Sequence, residues 1–207
     1  MISISLQPEP HNFEAEVRAP GKRFLATNPN PTNKDFKKKK DFWKFAKNDL
    51  HAAYSGICSY TCFYMMPHES SVDHFSPKVQ FPHLAYEWSN FRLAGPRLNQ
   101  IKGDSTDVLD PFEIRSEWFV LDFPSCLIKP GNHLSPRILR KVENTIKSLK
   151  LNDYDDFVQE RCDMMFSFSK SEVSLDFLSR RYPFIATEII RQGIESTAST
   201  IFKSLGT

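Results

Sequence analysis

Apolar residues recur at helical spacing in several parts of the chain. From Asp41 onward Phe42, Phe45, Ala46, Leu50, Ala53 and Tyr54 fall near the 3.6-residue period, and Gly56 stands where such a helix would stop. A helix is therefore expected over about 41–54. Ser135-Pro136 reads as a helix entry, with Ser capping and Pro in the first turn. Ile138, Leu139, Val142, Ile146 and Leu149 then share one face, with Arg and Lys on the other. A second helix is expected over 154–166 after Asn152-Asp153, and further helix over 175–194, interrupted near Pro183.

Strand patterns are shorter. Val72, His74 and Phe75 suggest one before Pro77; the aromatic, β-branched run 117–123 suggests another; a third lies within 124–133 and ends at Pro130-Gly131. Residues 1–34 are rich in Pro, Asn and charge and should be extended or irregular, with a turn at Pro20-Gly21. The pattern predicts an α+β chain that is mostly helical. It divides into residues 1–134 (an arm, a helix and a mixed core) and a helical region, 135–207.

Composition bounds the function. A chain of 207 residues suits one domain, or one with an appended helical unit. Phe is common at 18 against 7 Gly, so there is apolar bulk for a core. The formal charge is only +2, whereas a protein that grips nucleic acid alone usually carries a clear basic excess. That leaves room for a partner that supplies the grip. No apolar run approaches the roughly eighteen residues of a membrane span, and no secretory leader is evident. Cys58, Cys62, Cys126 and Cys162 are scattered as free thiols of a cytoplasmic protein would be.

The candidate chemistry lies between Cys58 and Gly103. Asp73-His74 is followed by Asn90 and then by Asn99 with Lys102 three residues on. A neutral imidazole can take a proton from water near pH 7, which suits His74 as a general base. Asp73 and Asn99 offer hard oxygens that suit Mg²⁺. Lys102, one turn from Asn99, can meet a phosphate or neutralise charge near a metal. Asn90 either orients the loop and the histidine ring or is a plain turn residue. Lys78, Arg92 and Arg97 are candidate phosphate contacts, with surface solvation as the alternative. The run Lys37–Lys40 is open in the same way. Tyr86, Trp88 and Phe91 read as core in preference to a base-stacking platform.

Asp-His, then Asn, then Asn-x-x-Lys resembles the HNH endonuclease motif. The flanks AAYSGICSYTC, VDHFSPK, YEWSNFRL and LDPF are most similar to the HNH nucleases of bacterial retron-type and Septu-type (PtuB-like) anti-phage systems. The resemblance implies a ββα-metal finger over about 58–103, embedded among helices. It implies His74 as the base, Asp73 and Asn99 as ligands of Mg²⁺ or Mn²⁺, and Asn90 as the residue that orients the loop. Lys102 would match the basic residue after the last motif position. It further implies a nucleic-acid substrate, DNA in the first place, a partner ATPase, and a retron reverse transcriptase complex.

Many members of the family carry two Cys-x-x-Cys pairs that bind a structural zinc. Here Cys58 and Cys62 are separated by three residues, and Gly95 and Leu98 stand where a second pair would be. A structural zinc needs about four ligands, so this sequence argues against one. His68 and His83 could complete a Cys₂His₂ set only at an unusual spacing. The alternatives to a DNA-cutting enzyme are an RNase of the same fold, cutting tRNA, and an inactive metal-finger module that binds nucleic acid or protein.

Overall fold

The structure, a computed structural model, describes residues 1–37 and 39–197. It gathers them into two compact units: one takes 5–59 and 65–106, the other Met1–Ile4, Tyr60–Tyr64 and the chain from Asp107 onward. The fold is α+β and mostly helical, with two small antiparallel sheets.

In the first unit the N-terminal segment is helical, contrary to the irregular chain expected from its prolines and asparagines. A π-helical turn, Glu14–Arg18, leads into α1 (Ala19–Thr27), and α2 (Asn33–Lys37) follows. Pro20 sits in the first turn of α1, where its missing N–H breaks no helical bond. No turn forms at Pro20-Gly21. Gly21 serves a different purpose: a Cβ there would stand 2.2 Å from Cγ of Tyr86, so only glycine lets the helix lie against that ring. Arg18 fastens the same helix by donating to Glu87 at 2.8 Å, to Glu9 at 2.8 Å and to Glu14 at 2.7 Å.

The stretch from Asp41 is helical as its periodicity predicts, in two segments. A 3₁₀ turn, Phe42–Ala46, runs into α3 (Lys47–Ala53). Gly56, at φ 71°, then turns the chain. Lys38, within the basic run 37–40, lies outside the described residues. Lys40 lays its ammonium 5.7 Å from the Phe24 ring centre and 5.9 Å from that of Phe42.

Next come β1 (Ser71–His74) and β2 (Phe91–Ala94), antiparallel, with Asp73 opposite Arg92 and His74 opposite Phe91. The chain enters α4 (Pro96–Lys102) directly from β2. Alternation puts Val72, His74, Phe91 and Leu93 on one face of the hairpin and Ser71, Asp73, Arg92 and Ala94 on the other. The first face is covered by the Phe42–Ala46 turn and α3, the second by α4. With both faces covered, all four residues of β2 are buried.

The second unit holds β3 (Phe119–Asp122) paired with β4 (Leu127–Pro130), then α5 (Pro136–Ser148), a π-helical turn at Tyr154–Val158 leading into α6 (Gln159–Ser169), α7 (Leu175–Arg181) and α8 (Pro183–Gln192). Ser135 precedes α5 in extended backbone, but its side chain makes no capping bond. Ser174 does cap α7, accepting from the Phe177 N–H at 3.1 Å.

Side chains occupy both open edges of this second hairpin. Glu188 accepts from the Leu121 N–H at 2.9 Å, and Gln192 donates to the Leu121 carbonyl at 2.8 Å. Asn152 does the same for Ile128, accepting at 2.8 Å and donating at 2.9 Å. These bonds tie the hairpin to the C-terminal helices. Among the described residues no helix is long and apolar enough to cross a membrane.

Candidate active site

His74 closes β1, and its ring stands on the face that the Phe42–Ala46 turn covers. The ring meets Trp43 edge-on at 4.8 Å between centres and Phe91 at 5.3 Å. Its Nε2 lies 2.9 Å from the carbonyl oxygen of Ala85. A carbonyl can only accept, so Nε2 carries the proton and Nδ1 keeps its lone pair. Burial lowers the imidazole to about 3, helped by the charges of Lys78 and Lys102 and opposed by the bond to Ala85. At neutral pH the ring is uncharged, the form a general base needs, although it is only 7% exposed.

Asp73 points to the opposite face, toward α4. Lys102, in the last turn of that helix, donates to Asp73 Oδ1 at 3.1 Å and to the His74 main-chain oxygen at 2.8 Å. Both side chains are sealed from solvent, at 0% for Lys102 and 2% for Asp73. In this structure Lys102 is held in a buried ion pair. Gly103, at φ 50°, ends the helix by returning its N–H to the Asn99 carbonyl at 2.9 Å.

Asn99 faces the same strand. Its amide nitrogen donates to Ser71 Oγ at 3.2 Å and to the Val72 carbonyl at 3.1 Å. The Val72 carbonyl fixes which end of the amide is nitrogen. One carboxylate and one amide oxygen form a hard, partial donor set, and a cation already stands on the carboxylate. Oxygens of this kind are those Mg²⁺ and Mn²⁺ take, but Asp73 is sealed in its pair with Lys102. The set differs in kind from a cage of acidic, His and Cys ligands; no group of three or more such residues able to hold a metal occurs among the described residues.

Asn90 organises the 75–90 loop. Its Oδ1 accepts from the Ser76 N–H at 2.8 Å, and its Nδ2 donates to the carbonyls of Ser76 at 3.0 Å and Leu84 at 3.1 Å. Main-chain Phe75 N–H to Asn90 carbonyl, at 2.9 Å, closes the loop beside it. Leu84, which the asparagine holds, precedes Ala85, whose carbonyl meets His74 Nε2. Asn90 touches neither the imidazole nor Asp73 by any of these bonds.

The chain matches no protein-family model and no curated protein.

The other cations separate by burial. Lys78 is half-buried, with its ammonium 5.6 Å from the Trp43 ring centre and 5.9 Å from that of Phe36. Burial draws its pKa below the usual lysine value, with Asp104 and Asp73 pulling the other way. Arg97 is exposed on α4. Arg92 is 2% exposed and donates to the carbonyls of Ser89 and Phe91 at 2.8 and 2.9 Å, so it is a structural cation and not a surface phosphate contact. Tyr86, Trp88 and Phe91 are core residues. Trp43 and Ser71, which sequence reasoning did not single out as part of the site, contact His74 and Asn99. Cys58 and Cys62 are buried and stand outside any disulfide, and His68 and His83 are exposed.

Proposed function

We propose that this protein is a metal-dependent nuclease of the HNH kind, hydrolysing phosphodiester bonds, in DNA first. The observation that carries the reading is a single strand–strand–helix unit in which Asp73, Asn99 and Lys102 share one face of β1 while a neutral His74 ends the same strand. Asn90 holding the intervening loop supports it further.

Asp73 and Asn99 would hold Mg²⁺ or Mn²⁺, which supplies charge stabilisation at the phosphate when bound. His74 Nδ1 takes the proton of the attacking water as the new oxygen–phosphorus bond forms and the bond to the leaving sugar oxygen breaks. Base catalysis of this kind is worth about two to four orders of magnitude in rate. Lys78 and Arg97 would meet the nucleic-acid backbone.

The test is cleavage of double-stranded DNA, single-stranded DNA and tRNA with Mg²⁺, Mn²⁺ or EDTA. Metal-dependent cutting that is lost in folded His74→Ala and Asp73→Asn supports the reading, and wild-type rates in His74→Ala remove it. Cutting confined to tRNA makes the protein an RNase of the same design. A second reading, a module that binds without cutting, is favoured by the burial of His74 under Trp43. Metal-independent binding with no cleavage would select it.

By the same resemblance we place the nuclease in an anti-phage assembly with a partner ATPase and a retron reverse transcriptase complex, docked through the helices after 135. Phe166 on α6 and Ile190 on α8, exposed at 47% and 55%, support that surface. Co-elution with the ATPase that is lost in Phe166→Glu and Ile190→Glu variants tests it; residues 198–207 of this region lie outside the described ones.

A further inference from the structure

The small formal charge of the chain is unevenly placed. Seven lysines stand between residues 34 and 47 against two aspartates. A solvated run would leave its ammonium groups out in water, but here the fold arranges them. Lys40 lays its ammonium against Phe24 and Phe42, and Tyr86 fixes the backbone there by donating to the Lys40 carbonyl at 2.7 Å. Lys78 lays its ammonium against Phe36 and Trp43. Burial lowers its pKa, Asp104 and Asp73 raise it, and the charges of Lys102 and Lys37 lower it further, so Lys37 and Lys78 repel each other. Ion pairs hold Lys44, to Asp41, and Lys22, to Glu87 at 3.9 Å. Among the described residues Lys37, Lys39, Lys40 and Lys78 enter none. The patch borders the candidate site: the rings of Phe36 and Trp43 are 5.8 Å apart, and Trp43 is the ring that meets His74.

We propose that Lys37, Lys39, Lys40 and Lys78 form a track for the sugar-phosphate backbone of nucleic acid, on the Trp43 side of the β1–β2 hairpin. Phosphate oxygens would relieve the repulsion between Lys37 and Lys78 and give the half-buried ammonium of Lys78 the counter-charge it lacks. The rings already hold Lys40 and Lys78, so less side-chain freedom is lost on binding. Contacts of this kind position a strand without reading its bases. The track takes its substrate class from the nuclease reading above, but it needs no metal and no cleavage.

The experiment is fluorescence anisotropy of the full chain with a short labelled DNA duplex and with its single strand, in EDTA, over a range of salt. Lys37→Ala/Lys39→Ala/Lys40→Ala should bind at least about tenfold more weakly, with a slope of log affinity on log salt shallower by about two to three. Arg140→Ala/Lys141→Ala/Lys147→Ala, which removes the same charge from exposed positions of α5, should stay within about twofold of wild type. If Lys40→Ala unsettles the fold, Lys37→Ala/Lys39→Ala, at two exposed positions, should still flatten the slope by about one to two. Equal losses in the two triple variants overturn the proposal, because the effect then follows net charge. Absence of binding by wild type overturns it too, as does equal affinity for polyglutamate, which would make the patch a site for acidic proteins. Lysine-dependent binding without any cutting keeps the track and removes the nuclease. His74-dependent cutting by a triple variant that binds like wild type removes the track and keeps the nuclease.

Discussion

The imidazole of His74 and the main-chain carbonyl of Ala85 are joined by a 2.9 Å bond that holds a buried, neutral ring. In the unfolded chain this histidine takes up its proton near pH 6.5, and in the folded protein only near 3. The unfolded state therefore binds more protons between those values. Stability is full above pH 6.5 and falls as the pH drops through that window, by up to ~1.4 kcal/mol per pH unit from this group. Urea unfolding at pH 7.5, 6 and 5 should show this slope in wild type and a shallower one in His74→Gln. Parallel slopes in the two proteins would mean that the ring is not held neutral.

Asn90 makes three bonds to loop backbone with one side chain. Asn90→Ala leaves an N–H and two carbonyls without these partners, a cost of about 2–4 kcal/mol. Asn90→Asp keeps the acceptor for Ser76 but faces two carbonyls with a buried negative oxygen, so it should not rescue. Denaturation midpoints measure the first effect. If cleavage is confirmed, both variants should also lose rate, since the loop carries Ala85.

What was legible in the chain follows its local signals. The helix from Asp41, the entry at Ser135-Pro136, the break at Pro183 and all three strand runs were written in spacing of the kind that backbone geometry imposes. The candidate residues were legible because they sit in one short stretch. The N-terminal helix was hidden because proline counts against helix unless it falls in the first turn, as Pro20 does. Gly21 reads as a turn residue in one dimension because its reason, the Tyr86 ring, lies 65 residues on. The clamp of Lys102 on Asp73 and the cover of Trp43 over His74 arise from packing between elements, which one-dimensional spacing does not encode.

Gly21 can be tested against that ring directly. Gly21→Ala places a methyl group 2.2 Å from Tyr86 Cγ, so the ring must move away from the helix and strain its 2.7 Å bond to the Lys40 carbonyl. Overpacking of this kind costs about 1–3 kcal/mol, against the small gain alanine gives an ordinary helix site. In a Tyr86→Leu background the penalty should shrink by more than ~0.5 kcal/mol, the signature of coupled neighbours. Thermal unfolding of the four proteins of the cycle measures it. Additive effects would show that the helix and ring do not meet.

Glu188 of α8 is nearly buried, with its carboxylate on the Leu121 N–H and on Arg191 at 2.7 Å. Burial alone would raise its pKa, but the bonds from Arg191, Leu121 and Gln192 hold it below the usual glutamate range. Its contribution is therefore present at neutral pH and lost as the pH falls below about 4.5 through the depressed folded value. Glu188→Leu should leave the Leu121 amide without this acceptor, with the Arg191 pair gone as well, a loss of about 2–4 kcal/mol. Glu188→Gln keeps an oxygen for Leu121 but weakens the bond to Arg191, so its cost should be roughly half as large. Amide hydrogen exchange at Leu121 separates the two: protection should fall sharply in Glu188→Leu and largely survive in Glu188→Gln. Unchanged protection in Glu188→Leu would show that α8 does not cover the β3 edge.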